Sequence, residues 1–220
     1  MAKVPGVLLG VAILCAAAPL SAQDAPWVNQ WYWGAQGGAV RFKTPDPSAS
    51  WETGYTFGAH WFITGSRMGL YMSYDHILYD SALSVVSDPT SATGARSVQF
   101  DNGRYLQADL IAMPLKGAMQ LMIGAGFTIH NISDASVQGT FATPEDQAYS
   151  QALVKDAATR AFFNIMGGLQ FLLGPRAAVY ISYEFISSTE NFLLSAEQHT
   201  FGGGIRYSFG GRKEDVTTDR

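Results

Sequence analysis

Residues 105–131 read YLQADLIAMPLKGAMQLMIGAGFTIHN, and this stretch decides the fold. In its second half Leu121, Ile123, Ala125, Phe127 and Ile129 share one face. Gln120, Met122, Gly124, Gly126, Thr128 and His130 share the other. A period of two belongs to a β-strand with one apolar and one more polar face. Pro114-Leu115-Lys116-Gly117 separates this strand from the one before it, and Pro and Gly in so short a connection mark a tight turn. The stretch is a hairpin of two long strands.

The pattern repeats along the chain. Eight strands are predicted, at Tyr32–Phe42, Thr53–Thr64, Met68–Tyr79, Tyr105–Met113 (with an upper extension from about Val98), Met119–Asn131, Ala161–Leu172, Ala177–Ser187 and Thr200–Phe209. Each is near the ~9–11 residues of a tilted membrane strand. Gly65-Ser66-Arg67, Pro114–Gly117 and Leu173-Gly174-Pro175-Arg176 are short turns. The connections between them are long: Lys43–Glu52, Asp80–Arg96, Ile132–Arg160 and Ser188–His199. Short turns at one end and long loops at the other, with both termini at the short-turn end, is the layout of an outer-membrane barrel. The fold class expected is all-β: an eight-stranded antiparallel up-and-down transmembrane β-barrel. In the third long loop Thr143-Pro144-Glu145-Asp146 reads as an N-cap, a Pro at the first helical position and acids in the first turn, so a short helix is expected there.

Composition agrees. The chain has 220 residues, of which 47% are hydrophobic and only 15% charged. Soluble domains carry roughly a quarter charged residues. A net charge of −4 argues against a nucleic-acid partner. No mature segment reaches the about 20 apolar residues of a spanning helix, so a membrane crossing requires a closed barrel. At the N-terminus, Lys3, the apolar run Val4–Leu20 and Leu20-Ser21-Ala22 predict a signal peptide over residues 1–22, cleaved after Ala22. The barrel then occupies 23–209, followed by a polar periplasmic tail at 210–220. Cys15 would leave with the signal, which excludes a disulfide or a thiolate nucleophile from the mature chain.

Alternation alone does not say which face is outside. Aromatics near the strand ends favour lipid outside: Trp31, Trp33, Trp61, Phe171, Tyr207 and Phe209 at the short-turn end, and Tyr79, Phe127 and Phe185 toward the other. Such rings form interfacial girdles. Few charges fall on the apolar face, with the parity of Arg41 left open by the glycines of the first strand.

Phe201, Gly203, Ile205, Tyr207 and Phe209 alternate along the last strand, which ends in an aromatic. This resembles the C-terminal signature that the assembly machinery of bacterial outer membranes reads. With the signal and the loop alternation, the chain resembles the small eight-stranded families: the OmpA transmembrane domain, OmpX and OmpW. The resemblance implies a bacterial outer-membrane location, with outer-membrane lipid and the assembly machinery as partners and a monomeric barrel. The tail Gly210–Arg220 departs from the signature, which usually ends the chain, and is too short for a peptidoglycan-binding domain.

With eight strands the interior is just wide enough for side chains to fill. The inward set expected is Thr56, His60, Tyr71, Ser73, Asp75, Gln107, Asp109, Gln120, Thr128, His130, Asn164, Gln170, Tyr180, Ser182, Glu184 and Arg206. Buried charges need partners. Arg206 and Glu184, on adjacent strands, are the first ion-pair candidates, with Asp75 and Asp109 the other acids in reach; His60 and His130 complete the polar network. Some eight-stranded barrels are lipid-modifying enzymes, and a hydrolase would need a Ser–His pair oriented by an acid. His130, Ser133 and Asp134, or His199, Ser195 and Glu197, supply the residue types without the spacing. No metal-ligand spacing or phosphate-binding loop occurs, so no enzyme, metal or cofactor is expected. The expected role is structural or surface interaction around a polar filled interior. The alternative is an OmpW-like channel for small hydrophobic molecules, and a lipid-modifying enzyme is third.

Overall fold

A computed structural model describes residues 29–45, 51–115, 117–189 and 191–211. The expected signal peptide, its cleavage site and the tail beyond Gly211 lie outside these residues. The elements are β1 (Gln30–Phe42), β2 (Glu52–Thr64), β3 (Met68–Ser87), β4 (Ala95–Ala112), β5 (Met119–Ser133), β6 (Ser136–Val137), α1 (Pro144–Ala157), β7 (Thr159–Leu172), β8 (Ala177–Ile186) and β9 (Gln198–Gly211). Each barrel strand pairs antiparallel with its neighbours in sequence, and β1 pairs with β9. The ring therefore closes as an eight-stranded barrel, to which β6 adds a two-residue bridge on the upper part of β4. Closure satisfies every strand edge, which lipid demands.

The faces sort as a membrane barrel requires. Going up from the short turns, the outward side chains of β1 run Trp31, Trp33, Ala35, Gly37 and Ala39 before the first charge, Arg41. On β9 they run Phe209, Tyr207, Ile205, Gly203 and Phe201 before His199. The first outward basic side chains of β3 and β4, His76 and Arg104, stand opposite each other in the ladder. The rise from Phe209 to His199 is about 25 Å along the axis for strands tilted ~40°, the height of an outer-membrane apolar band. Below it, Trp61 packs against Trp31 and Trp33 at centroid distances of 5.4 and 5.7 Å, and Tyr207 against Phe209 at 5.3 Å, forming the lower girdle. Arg41 thus points outward, at the upper edge of the apolar band.

Three expectations need correction. The predicted loop Asp80–Arg96 is mostly strand: β3 and β4 go on pairing from Ala82↔Phe100 to Ser87↔Ala95, leaving a tight turn closed by Asp88 N–H to Gly94 C=O at 3.0 Å. The register slips between Leu78 and Ala82, where Asp80 and Ser81 are both exposed and Ser81 takes φ 51°. Such a bulge breaks the alternation that marks a strand in sequence. Tyr79, assigned to the upper girdle, lies instead inside the barrel, edge-on to Phe42 and Phe100 at 4.9 and 5.1 Å. It shares the parity of Ser73 and Asp75, and the bulge comes only after it. The last strand also runs to Gly211, so the first two residues of the assigned tail belong to β9.

The loop helix forms where expected. Thr143 caps α1 in a reciprocal capping box with Asp146, and Pro144 opens the helix. Its buried residues are Ser150 and Val154, which turn toward the barrel mouth.

Candidate functional site

The interior gathers most of the buried polar side chains among the described residues, and it is built in three layers. At the short-turn end stands Arg206 of β9, 1% exposed. Its guanidinium lies over the rings of Tyr180 (4.0 Å) and Phe62 (4.7 Å). His60 stacks on Tyr71 at 5.5 Å and meets Tyr180 edge-on at 5.3 Å. The expected Arg206–Glu184 pair does not form. Arg206 stands opposite Ala178, whereas Glu184 stands opposite Thr200, which separates them by about 20 Å along the strand. Parity correctly put both inside; it carries no information on height. Among the described residues the ion pairs are Arg96–Asp88 and Arg160–Asp156, both outside the barrel wall.

The middle layer holds the three acids. The Gln36 amide donates to both oxygens of Asp75 at 2.7 Å, while the Tyr71 and Tyr180 hydroxyls donate to its carbonyl oxygen. Ser73 donates to Asp75 (2.7 Å) and Gln107 to Asp109. The Asn164 amide donates to Asp109 (2.9 Å) and to Glu184 (2.8 Å), and Thr128 also donates to Glu184. Amides and hydroxyls, rather than a cation, satisfy these carboxylates. Asp75 and Asp109 each face a glycine across the ladder, Gly58 and Gly126. A Cβ at either glycine would overlap the carboxylate. The cavity between Gln36, Tyr71, Asp75, Gln107 and Glu184 measures about 30 Å³, room for a water or two and for no solute.

The upper layer is apolar, which the polar-plug expectation did not foresee. Phe42, Phe100, Tyr105, Phe162 and Ile186 fill the barrel, and Phe192, Leu193 and Leu194 descend from the last loop to join them. Ser84 donates to the Leu193 carbonyl at 2.8 Å, and the Leu193 N–H reaches Ala157 at the end of α1. His130 accepts or donates one bond with the Tyr79 hydroxyl at 2.8 Å and is ringed by Tyr105, Phe162 and Phe192. Above this cap, Asp88 receives the Arg96 Nε–H (2.6 Å), the Ser150 hydroxyl and both donors of Thr90, which ties the β3–β4 hairpin to α1. Burial would push the Asp88 carboxyl up, but these donors outweigh it and hold it well below the usual carboxylate range.

The residue sets considered for hydrolysis are not assembled. Ser133 donates to Asn131, His130 is engaged with Tyr79, Ser195 donates to the Thr44 carbonyl, and His199 meets Tyr183. Sequence reasoning missed Gln36, the hub of the middle layer, because the glycines around it blurred the parity of β1. It also missed Phe192–Leu194, although an apolar triplet inside a polar loop is itself a sign of burial.

Residues 7–209 match the outer membrane protein beta-barrel domain family. No curated protein matches the chain. Among solved structures it is similar to Neisserial surface protein A, with a TM-score of 0.54 at 12% identity, covering 81% of this chain and 97% of that one. It is also similar to the N-terminal β-barrel domain of Pseudomonas aeruginosa OprF, with a TM-score of 0.50 at 12% identity, covering 83% and 98%. These likenesses carry the fold.

Proposed function

The chain belongs to the outer membrane protein β-barrel domain family, and from that premise we propose that it is a closed barrel with a structural or surface-interaction role. The observation that carries this reading is the continuous filling of the interior, from Arg206 through the acid–amide layer to Phe192–Leu194. A barrel so filled has no path for solutes, which leaves its work to the wall and the surface loops. The β3–β4 hairpin, α1 and the last loop are locked to one another through Asp88 and Leu193, and offer a preformed surface for a partner. Within this reading the chain is exported by a signal cleaved after Ala22. The assembly machinery inserts it through the Phe201, Ile205, Tyr207 and Phe209 signature. It stands as a monomer in outer-membrane lipid and catalyses nothing.

The apolar upper layer supports a second reading, a channel for small hydrophobic molecules opened by withdrawal of Phe192–Leu194. Planar-bilayer recording of the refolded barrel, with and without hydrophobic solutes, separates the two. The closed reading expects no discrete conductance and no solute-dependent events. Steady single-channel steps from the parent protein would replace it with the channel.

A further inference from the structure

We propose that the outer wall of β7, β8 and β9 carries a binding site for one phosphorylated acyl lipid of the outer leaflet. Two independent observations meet there. The first is a groove of about 390 Å³ on the lipid-facing wall, lined by Gly167, Leu169, Ile181, Tyr183 and Phe201. This lies within the range of about 300–1,000 Å³ found for small-molecule sites. The register explains it. Gly167 stands opposite Tyr183, and Ile181 opposite Gly203, so glycines on two strands leave the floor low between larger neighbours. A Cβ built on Gly167 meets nothing within 4 Å.

The second observation is what caps the groove. His199 pairs with Arg41 on one side and Phe185 on the other, one outward step above Phe201 and Tyr183. Trp51 folds back across this rim, with the Arg41 guanidinium 5.5 Å over its ring and the His199 ring 5.5 Å away. The Tyr183 hydroxyl bonds His199 Nδ1 at 2.8 Å. Arg41, outward on β1, stands across the ladder from His199, so one cation stands at the upper edge of the apolar band on the β9 side of the groove. Bulk lipid would cover any apolar wall. An apolar groove with a braced guanidinium above its β9 side selects one occupant: an acyl chain lies in the groove while the phosphate of its headgroup reaches up to Arg41.

The inference depends on the membrane orientation and not on the closed interior, which conductance tests separately. The barrel is refolded into phosphatidylcholine vesicles containing bisphosphorylated lipid A, extracted in mild detergent, and its retained lipid counted by native mass spectrometry. One retained lipid A per barrel is expected. Lipid A stripped of its phosphates should be retained no better than phosphatidylcholine. Arg41→Ala should lower retention about fivefold, the effect of one cation at a membrane surface. Gly167→Leu, which fills the groove without a clash, should lower it while the protein keeps its heat-modifiable folded form. Arg104→Ala, at the same level on β4 but away from the groove, should leave it unchanged. Equal retention of dephosphorylated lipid A overturns the proposal. So does an equal loss with Arg104→Ala, or unchanged retention in both Arg41→Ala and Gly167→Leu.

Discussion

Replacing Arg206 with Met should leave the barrel as stable as the parent or slightly more so, whereas Arg206→Ala should weaken it. The guanidinium is buried against the rings of Tyr180 and Phe62. A desolvated cation–π contact is worth about 2 kcal/mol, so the two rings together return about 4 kcal/mol. Against this stands the cost of removing a cation from water, several kcal/mol even after relaxation. Among the described residues no carboxylate lies within ion-pair distance to offset it. The two effects nearly cancel. Met keeps the length of the side chain and packs its sulfur on the same rings for about 0.3–1.5 kcal/mol. It gives up the cation–π attraction and is spared the desolvation cost, so its net change should lie within about 1 kcal/mol of zero. Ala removes the packing as well and leaves a void among Tyr32, Phe62 and Tyr180, a loss of about 2–5 kcal/mol. An arginine paired with a buried acid would reverse this order, because Met would strand the carboxylate at a cost of about 3–5 kcal/mol. Urea unfolding in lipid vesicles, followed by tryptophan fluorescence, measures the three proteins side by side. A Met variant less stable than the parent by about 3 kcal/mol or more would refute this reasoning.

The loop lock should respond to acid. The Asp88 carboxyl is held below its ordinary value, so its stabilisation is fully present above the unfolded carboxylate pKa near ~4 and is lost as pH falls below that toward the folded value. Amide exchange of α1 should accelerate below about pH 4 in the parent, and Asp88→Asn should show fast exchange already at neutral pH. Phe192→Ser with Leu193→Ser should open the upper layer, lowering stability by about 2–5 kcal/mol for each side chain removed, as read by urea unfolding. Tyr207→Ser with Phe209→Ser should reduce the amount of heat-modifiable, membrane-inserted protein, since both rings belong to the outward lower girdle; parental amounts would count against the signature. Single cysteines at Ser91 and Ala148 should label with an impermeant reagent on whole cells, and one at Ser66 should not.

How much of this was legible follows from what a period of two encodes. Alternation assigns each residue to a face, and with the short-turn and long-loop order it was enough for the barrel, its strand number and nearly all of its inward side chains. Asp75, Asp109, Glu184, Arg206, His60 and His130 all lie inside as their parity required. Alternation says nothing about height along the axis, which is set by inter-strand stagger. That is why parity alone makes Arg206 and Glu184 look like a pair, while the register puts Glu184 in the acid–amide layer and Arg206 well below it among the rings of the short-turn end. It also fails where the ladder slips: at Asp80-Ser81 two exposed residues in succession looked like the start of a loop, although six further pairs follow. Descent of a loop into the mouth, as at Phe192–Leu194, lies outside any strand pattern.

The vertical order of the layers follows from what each buried group needs. Water reaches both ends, so the costliest group to bury unpaired, a guanidinium, sits near the short turns where rings can hold it and the bulk is close. The acids occupy mid-height only because Gln36, Gln107 and Asn164 bring their amides there, and because Gly58 and Gly126 make room for them. Removing an amide should therefore cost more than neutralising the acid it serves. Glu184→Gln keeps an oxygen to accept from Asn164 and Thr128, whereas Asn164→Leu leaves two carboxylates short of a donor. The interior is organised by its neutral donors, and the acids are held in place by them.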